Sequence, residues 1–303
     1  VHADTVHKSA QRQDPHNSHL GNNNHQYPCY HGYINGGLRV GCHAHGSPLA
    51  LKPALQTSCN AFFCWGFKNM IDRRSKYGSS SKAFEVWKNH LVSMGYGYKL
   101  GIDLPNEGRG FLPNSKYYDR PYGEGRWSGN TIISVSIGQG EVLATPLQIA
   151  NLCATVANRG WFITPHIVKA IQDTVMPGDI LARRRPTIDL EYYDAVAEGM
   201  RMAVTGGTCR RAALPDIEVA GKTGTAQNPH GKDHSAFMGF APYNDPKIAI
   251  AVYVENAGFG ATYGVPIGSL VMEKYLTGKI SEPRKYMEEQ MLNSTLYYGT
   301  SKR

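Results

Sequence analysis

Residues 217–226 read Ile217-Glu218-Val219-Ala220-Gly221-Lys222-Thr223-Gly224-Thr225-Ala226, an apolar start followed by small and β-branched residues, which predicts a strand. Two further strand candidates follow closely, Ala236–Ala241 and Lys247–Glu255. The last contains Ile248-Ala249-Ile250-Ala251-Val252-Tyr253-Val254, a continuous apolar run that suits a strand covered on both faces. Connections of about ten and six residues, rich in Asn, Pro, Gly and Asp, predict antiparallel hairpins, because a parallel crossover needs a longer excursion. On the N-terminal side, Thr145-Pro146-Leu147-Gln148 is a helix start: Thr as N-cap, Pro at the first helical position, Gln three residues beyond the cap. That helix continues through Ile149, Leu152, Val156 and Ala157 and stops at Asn158-Arg159-Gly160. A second helix covers 190–204 and ends at Gly206-Gly207, and a third, Val265–Leu276, can lie back on the sheet. Residues 48–70 carry Leu49, Leu51, Leu55, Phe62, Phe63, Trp65 and Phe67, a buried helical stretch broken at Thr57-Ser58-Cys59-Asn60. Helices on both sides of a meander give an α/β (α+β) fold with an antiparallel sheet flanked by helices.

Composition narrows the class. With 41% hydrophobic and 18% charged residues in 303, the chain has a core to bury and is not a disordered polymer. No apolar run approaches 18 residues, so no membrane-spanning segment is expected. Six cysteines are too few to staple a chain of this length. The formal charge of +8 permits anionic partners, but the basic residues are spread along the chain and read as solvated surface, not as a nucleic-acid interface. The chain opens at Val1 without an initiator Met or signal peptide, as a piece of a longer protein would. Composition changes near residue 27. Five of the twelve histidines fall in the first 26 residues, beside Asn22-Asn23-Asn24 and Pro15, with no helical or alternating apolar period. The expected organisation is an arm over 1–26, a main domain over 27–280, and a polar, frayed tail over 281–303.

Two groups of residues carry chemistry. Lys222 supplies a cation on the first strand, the hydroxyls of Thr223 and Thr225 can hold a carboxylate, and the flanking glycines Gly221 and Gly224 let a ligand backbone approach the strand edge. Ser58 and Asn60 offer a hydroxyl and an amide two residues apart, which with Lys222 would form a proton relay and an amide clamp. His234 reads first as a loop residue and second as a substrate contact, and a Tyr-rich stretch (Tyr117, Tyr118, Tyr122, with Trp127) reads first as a packed loop and second as groove lining.

Ser58-x-Asn60 and Lys222-Thr223-Gly224 resemble two of the three motifs of penicillin-recognising serine enzymes. Lys99-Leu100-Gly101-Ile102-Asp103-Leu104-Pro105, Ser136-Ile137-Gly138-Gln139-Gly140, Ala144-Thr145-Pro146-Leu147-Gln148 and Phe237-Met238-Gly239-Phe240-Ala241-Pro242 are similar, more narrowly, to the penicillin-binding protein 2 family of elongation-class transpeptidases. The resemblance implies a penicillin-binding-protein/β-lactamase-like transpeptidase fold. It implies acyl transfer from a D-Ala-D-Ala stem peptide to an amine on a neighbouring stem, with β-lactams trapping the acyl-enzyme. Implied partners are peptidoglycan stem peptides, β-lactams and a membrane-bound glycosyltransferase. The implied location is the periplasmic face of the inner membrane, with an anchor and pedestal preceding Val1. Asn60 would bind the substrate amide, Ser58 would relay the leaving-group proton, and Thr223, Gly224 and Thr225 would hold the substrate end.

The third motif, Ser-x-x-Lys, is expected about 50 residues before Ser58. What stands there is Thr5-Val6-His7-Lys8-Ser9-Ala10-Gln11, similar to the family's pattern with Thr in place of Ser. Thr5 would then be the nucleophile, crowded by its β-methyl, and Lys8 the base, its pKa lowered by burial and by Lys222. The polar run after Lys8 does not suit a buried helix. It reads as a degraded or frame-shifted version of the active-site helix, or as a genuine disordered arm, and either implies weak transpeptidation or a scaffold or sensor role. A β-lactamase shares the motifs but needs a deacylating carboxylate, and none stands in a matching motif.

Cys29, Cys42, His45 and Cys59 form a fourth group, in and beside a Gly-rich loop. Some relatives in the family hold a zinc ion here through carboxylates, a His and a Cys. The resemblance implies a structural Zn2+ site with Cys29 and Cys42 near the carboxylate positions. A Cys29–Cys42 disulfide or free thiols are the other readings. Cys64, Cys153 and Cys209 read as packing residues.

Overall fold

Thr145 begins its helix by a reciprocal device: its Oγ1 accepts the Gln148 N–H at 3.2 Å while Gln148 Oε1 accepts the Thr145 N–H at 2.9 Å, so two orphan donors are satisfied at once. The computed structural model describes residues 25–172 and 178–296. Thr5, Lys8 and nearly all of the 1–26 arm lie outside the described residues.

The elements run in this order. A hairpin pairs β1 (Gly32–Asn35) with β2 (Leu38–Gly41). Helices α1 (Leu51–Thr57), α2 (Asn60–Ile71), α3 (Ser80–Ser93), α4 (Ser115–Tyr122), α5 (Pro146–Ala157) and α6 (Glu191–Gly206) follow. Then come β3 (Ala220–Ala226), β4 (His234–Ala241), β5 (Ile248–Val254), α7 (Gly264–Thr277) and α8 (Lys285–Leu292). The three-stranded sheet is antiparallel in the order β3-β4-β5, with Lys222 opposite Met238 and Phe237 opposite Val252.

Strand alternation sorts the core into two layers. Ala220, Met238 and Phe240, with Ala249 and Ala251 packed alongside, face the cluster built by α1, α2, α3, α5 and α6. Val219, Phe237 and Ala241, with Ile248, Ile250 and Val252, face the other way, onto Val265 and Met272 of α7. The ring of Phe237 decides three small residues. A Cβ on Gly221, Gly239 or Gly268 would stand 2.5–2.6 Å from its ring carbons. Gly221, expected to open the strand edge to a ligand, therefore makes room for this ring.

Three expectations need correction. Over its described residues, 280–296, the tail after Lys279 is anchored, not frayed: Arg284, on a turn before α8, is buried and donates from Nε to Glu273 Oε2 at 2.9 Å and from Nη2 to Ser269 Oγ at 2.6 Å, and α8 docks through Met287. β5 is flanked by α5 and α7, yet its residues are only half-buried and Tyr253 is 40% exposed, because its outer edge has no strand partner among the described residues. His234 is the first residue of β4, not a loop residue, and its Nδ1 accepts the Asn256 N–H at 3.1 Å. Tyr118 and Trp127 pack on Phe84, as the packing reading expects, while Tyr117 and Tyr122 are exposed.

Candidate active site

Ser58 sits at the corner between α1 and α2. The chain leaves α1 through Ser58 in the left-handed region (φ 56°, ψ 48°), and Cys59 turns extended to become the N-cap of α2, its Sγ accepting the Phe62 N–H at 3.4 Å. A left-handed non-glycine residue costs about 1–2 kcal/mol. The corner is held by backbone bonds from Ser58 N–H to Leu55 O and from Cys59 N–H to Ala54 O, which outweigh that strain. The break expected at 57–60 is thus a designed change of direction that lifts Ser58 and Asn60 out of the helical layer.

Lys222 meets them there. Its place opposite Met238 aims the side chain toward the helices, where it is 1% exposed, and Nζ donates to Ser58 Oγ at 2.7 Å and to Thr223 O at 2.9 Å. Ser58, Asn60, Gln139, Thr223, Gly224 and Thr225 line one small polar cavity of ≈ 90 Å³. Asn60 spends one amide N–H on Gly41 O at 2.8 Å, which fixes its plane. Five residues expected at the site from the sequence, Ser58, Asn60, Lys222, Thr223 and Thr225, therefore converge, with Gly224 between the two threonines. Thr5 and Lys8 lie outside the described residues.

Four further contributors were not assigned to this cleft from the sequence. Thr208 Oγ1 is 2.9 Å from Thr223 Oγ1. It gets there because Gly207 passes so close to Gln56 that a Cβ would stand 2.1 Å from the Gln56 carbonyl oxygen, and Thr208 N–H donates to that same oxygen. The signal was the Gly206-Gly207 pair, read only as a helix stop. Gly260 N–H donates to Thr225 Oγ1 at 3.3 Å, and Gln139 Nε2 donates to the Thr225 carbonyl at 3.5 Å. His43 lines the cavity from the loop after β2.

Directly beneath Ser58 and Asn60 lies the cysteine group. Ligand atoms of Cys29, Cys42, His45 and Cys59 all fall within 4.8 Å of one another. Cys29 Sγ is 3.6 Å from His45 Nε2, and Cys42 Sγ is 4.0 Å from Cys59 Sγ. These separations match the edges of a tetrahedron around a metal bound by sulfur, about 3.7 Å for Zn–S bonds of typical length. His45 Nδ1 is engaged with Gly46 O at 2.7 Å, which leaves the Nε2 lone pair for the cluster. Hydrogen bonding from the Cys59 thiol, helped by the Ala61 N–H, holds the Cys42 thiol down to about 5. The same contact pushes the Cys59 thiol up, and burial raises Cys29. None of the six cysteines is paired in a disulfide, and Cys64, Cys153 and Cys209 are buried in the core as expected.

At the margin of the antiparallel sheet a buried lysine thus faces a hydroxyl–amide corner from the helical layer, an arrangement that can hold and polarise a polar ligand. The family model "Penicillin binding protein transpeptidase domain" matches residues 17–273, and the chain belongs to that family. It is 32% identical over 263 residues to the Peptidoglycan D,D-transpeptidase MrdA of Haemophilus influenzae, covering 80% of this chain and 38% of the relative, so it spans well under half of that protein's length. Among solved structures it is similar to the penicillin-binding protein PBP2 of Helicobacter pylori, with 25% identity, TM-score 0.73, and 92% of this chain and 49% of that one covered. It is likewise similar to a chain described under structural coordination of polymerization and crosslinking by a peptidoglycan synthase complex, with 25% identity, TM-score 0.70, and 92% and 46% covered. No helix among the described residues is long and apolar enough to cross a membrane.

Proposed function

We propose that this chain carries the acyl-transfer centre of a peptidoglycan D,D-transpeptidase, with substrate at the Ser58–Asn60–Lys222 cleft. The observation that carries the reading is the 2.7 Å contact between Lys222 Nζ and Ser58 Oγ across 164 residues of sequence. That contact lets Ser58 pass a proton to the leaving amine while Lys222 keeps the hydroxyl polarised. The Asn60 amide holds the substrate peptide bond. The Thr225 hydroxyl donates to the terminal carboxylate, and the Thr223 hydroxyl, which donates to Thr208 Oγ1 in the free site, turns from that partner to the carboxylate when substrate binds. The N–H of Thr225, on the exposed edge of β3, serves as one oxyanion donor. Thr5 is the nucleophile and Lys8 its base. Attack by a secondary hydroxyl is slower than by serine, so acylation is impaired relative to a Ser-x-x-Lys enzyme. The reaction releases D-Ala and passes the acyl group to a stem-peptide amine. The chain works at the periplasmic face of the inner membrane beside a glycosyltransferase, and the synthase complex named above, which joins polymerization to crosslinking, supports the pairing with a polymerising partner.

Cys29, Cys42, His45 and Cys59 hold a structural Zn2+, which closes the loop after β2 onto the N-terminus of α2. The ion supplies rigidity under Ser58 and Asn60 and takes no part in a chemical step.

Fluorescent penicillin tests the catalytic reading. The chain should label slowly, Thr5→Ser should label faster, and Lys222→Ala should lose label by at least about a hundredfold. Folded Thr5→Ser protein that takes no label would reject the enzyme and favour a penicillin-blind scaffold, and rapid turnover of label would indicate a β-lactamase.

A further inference from the structure

The sulfurs beneath the cleft differ in access. Cys42 is half-buried, Cys59 is fully buried and Cys29 is buried against His45, its Sγ 3.6 Å from Nε2. An oxidant arriving from solvent meets the Cys42 sulfur first, with the Cys59 sulfur 4.0 Å behind it. The same two sulfurs are acceptors for the start of α2. Cys42 Sγ accepts the Ala61 N–H at 3.2 Å, and Cys59 Sγ accepts the Phe62 N–H at 3.4 Å. These are donors of a helix N-terminus, which no group inside the helix can satisfy. Asn60, the first residue of α2, donates from its amide to Gly41 O at 2.8 Å, one residue before Cys42. Both the backbone and the amide side chain of the corner bearing Ser58 and Asn60 are thus tied to this pair of sulfurs.

We infer that Cys42 and Cys59 form an oxidation site: a hydroperoxide converts the two thiols to a disulfide, which dismantles the metal-binding set and loosens the Ser58–Asn60 corner. Resting on the zinc and cleft readings above, this places the cleft under redox control. In the first step the Cys42 sulfur attacks a peroxide oxygen, the O–O bond breaks, and an alcohol leaves (water, where the oxidant is hydrogen peroxide itself). Cys42 is then a sulfenic acid. The Cys59 sulfur attacks the Cys42 sulfur, the S–S bond forms as the S–O bond breaks, and the hydroxyl departs as water. The two sulfurs together lose two electrons, the peroxide gains two, and the thiols or solvent supply the two protons. A disulfide bond is about 2 Å long, so the sulfurs close by about 2 Å from their 4.0 Å separation. Closure draws them off the Ala61 and Phe62 N–H groups, and a neutral disulfide sulfur accepts a hydrogen bond less well than a thiolate. Gly41 is drawn along with Cys42, so the Asn60 amide loses its anchor. Of the four ligands only Cys29 and His45 remain, too few for a structural zinc site. Exchange with a small thiol reverses the change.

Hydrogen peroxide added to the zinc-loaded full chain tests the switch without requiring turnover. Mass spectrometry of chymotryptic peptides, prepared under alkylating and non-reducing conditions, should find Cys42 linked to Cys59. A chromogenic chelator should record release of the bound zinc, and the Ala61 and Phe62 amides should exchange with deuterium roughly tenfold faster. Labelling by fluorescent penicillin should fall about tenfold in parallel, and dithiothreitol with added zinc should restore both. Cys59→Ser should stop at a Cys42 sulfenic acid that dimedone captures. A Cys29–Cys42 link, Cys42 carried to sulfinic acid with no link, zinc retained after linkage, or amide exchange unchanged by linkage each overturns the proposal. A chain that holds no zinc or takes no label before oxidation fails the reading above instead, and the Cys42–Cys59 link and the amide exchange still decide the switch.

Discussion

Replacing Glu273 with Gln should destabilise the domain by about 3–5 kcal/mol, the cost of leaving a buried cation without its counter-charge. The figure follows from the surroundings. Glu273 is 2% and Arg284 7% exposed, so water cannot take over from the lost carboxylate. The Glu273 carboxylate accepts from Arg284 Nε at 2.9 Å, from Ser281 Oγ at 2.6 Å and from Ser281 N–H at 3.2 Å, and the glutamine amide would turn a donor toward at least one of these donors. Arg284 also reaches the Ala213 carbonyl and Ser269 Oγ, so the pair joins α7, α8 and the segment that carries Arg210 and Arg211. Urea unfolding followed by circular dichroism measures the change, and the double variant Glu273→Met with Arg284→Met should recover most of it, because removing both charges removes the desolvation cost as well. A loss below about 1 kcal/mol in the single variant would show that the guanidinium is hydrated and the clamp superficial.

Other consequences are open to measurement. Metal analysis of protein purified without chelator should find one equivalent of zinc, and Cys42→Ala should lower it below a tenth of an equivalent; full zinc content in that variant would rule out the four-ligand site. His90 on α3 is buried, with Nδ1 2.7 Å from Thr187 Oγ1, and burial lowers its pKa, partly countered by Asp189. Its unfolded form binds more protons, so stability should fall as pH drops below about 6.5 and hold above it, and His90→Gln should flatten that slope. Gly239→Ala forces a methyl 2.5 Å from the Phe237 ring and should cost about 1–3 kcal/mol, with recovery on adding Phe237→Leu. An unchanged urea midpoint for Gly239→Ala would mean that the ring can move aside.

The parts of the fold legible in the sequence are those whose causes are local. The capping box at Thr145, the glycine stop after Val204 and the dense apolar run of β5 each act within a few residues, and each element formed within a few residues of its expected bounds. Helix α3 had a readable signal in Phe84, Trp87 and Leu91 at helical spacing, but its mean hydropathy is close to neutral and the stretch was passed over. What sequence could not carry is partnership at long range. Arg284 looks like one more charge in a polar tail until Glu273 is found beside it, and Gly221 looks like an opening for ligand until Phe237 is seen to fill the space. Ser58, Asn60 and Lys222 were recoverable because motif resemblance encodes such a distant pairing. Thr208 belongs to no such motif and emerged only with coordinates.

The outer margin of β5 has a consequence for handling the isolated polypeptide. Seven uncharged residues, Ile248–Val254, offer a row of backbone N–H and C=O groups with no ladder beyond them among the described residues. Such a row templates self-association, and a second copy laid against it would satisfy both rows at once and seed larger aggregates. A single lysine in place of the half-exposed Tyr253 supplies the usual gatekeeper, and light scattering at rising protein concentration should show the onset of clumping move upward.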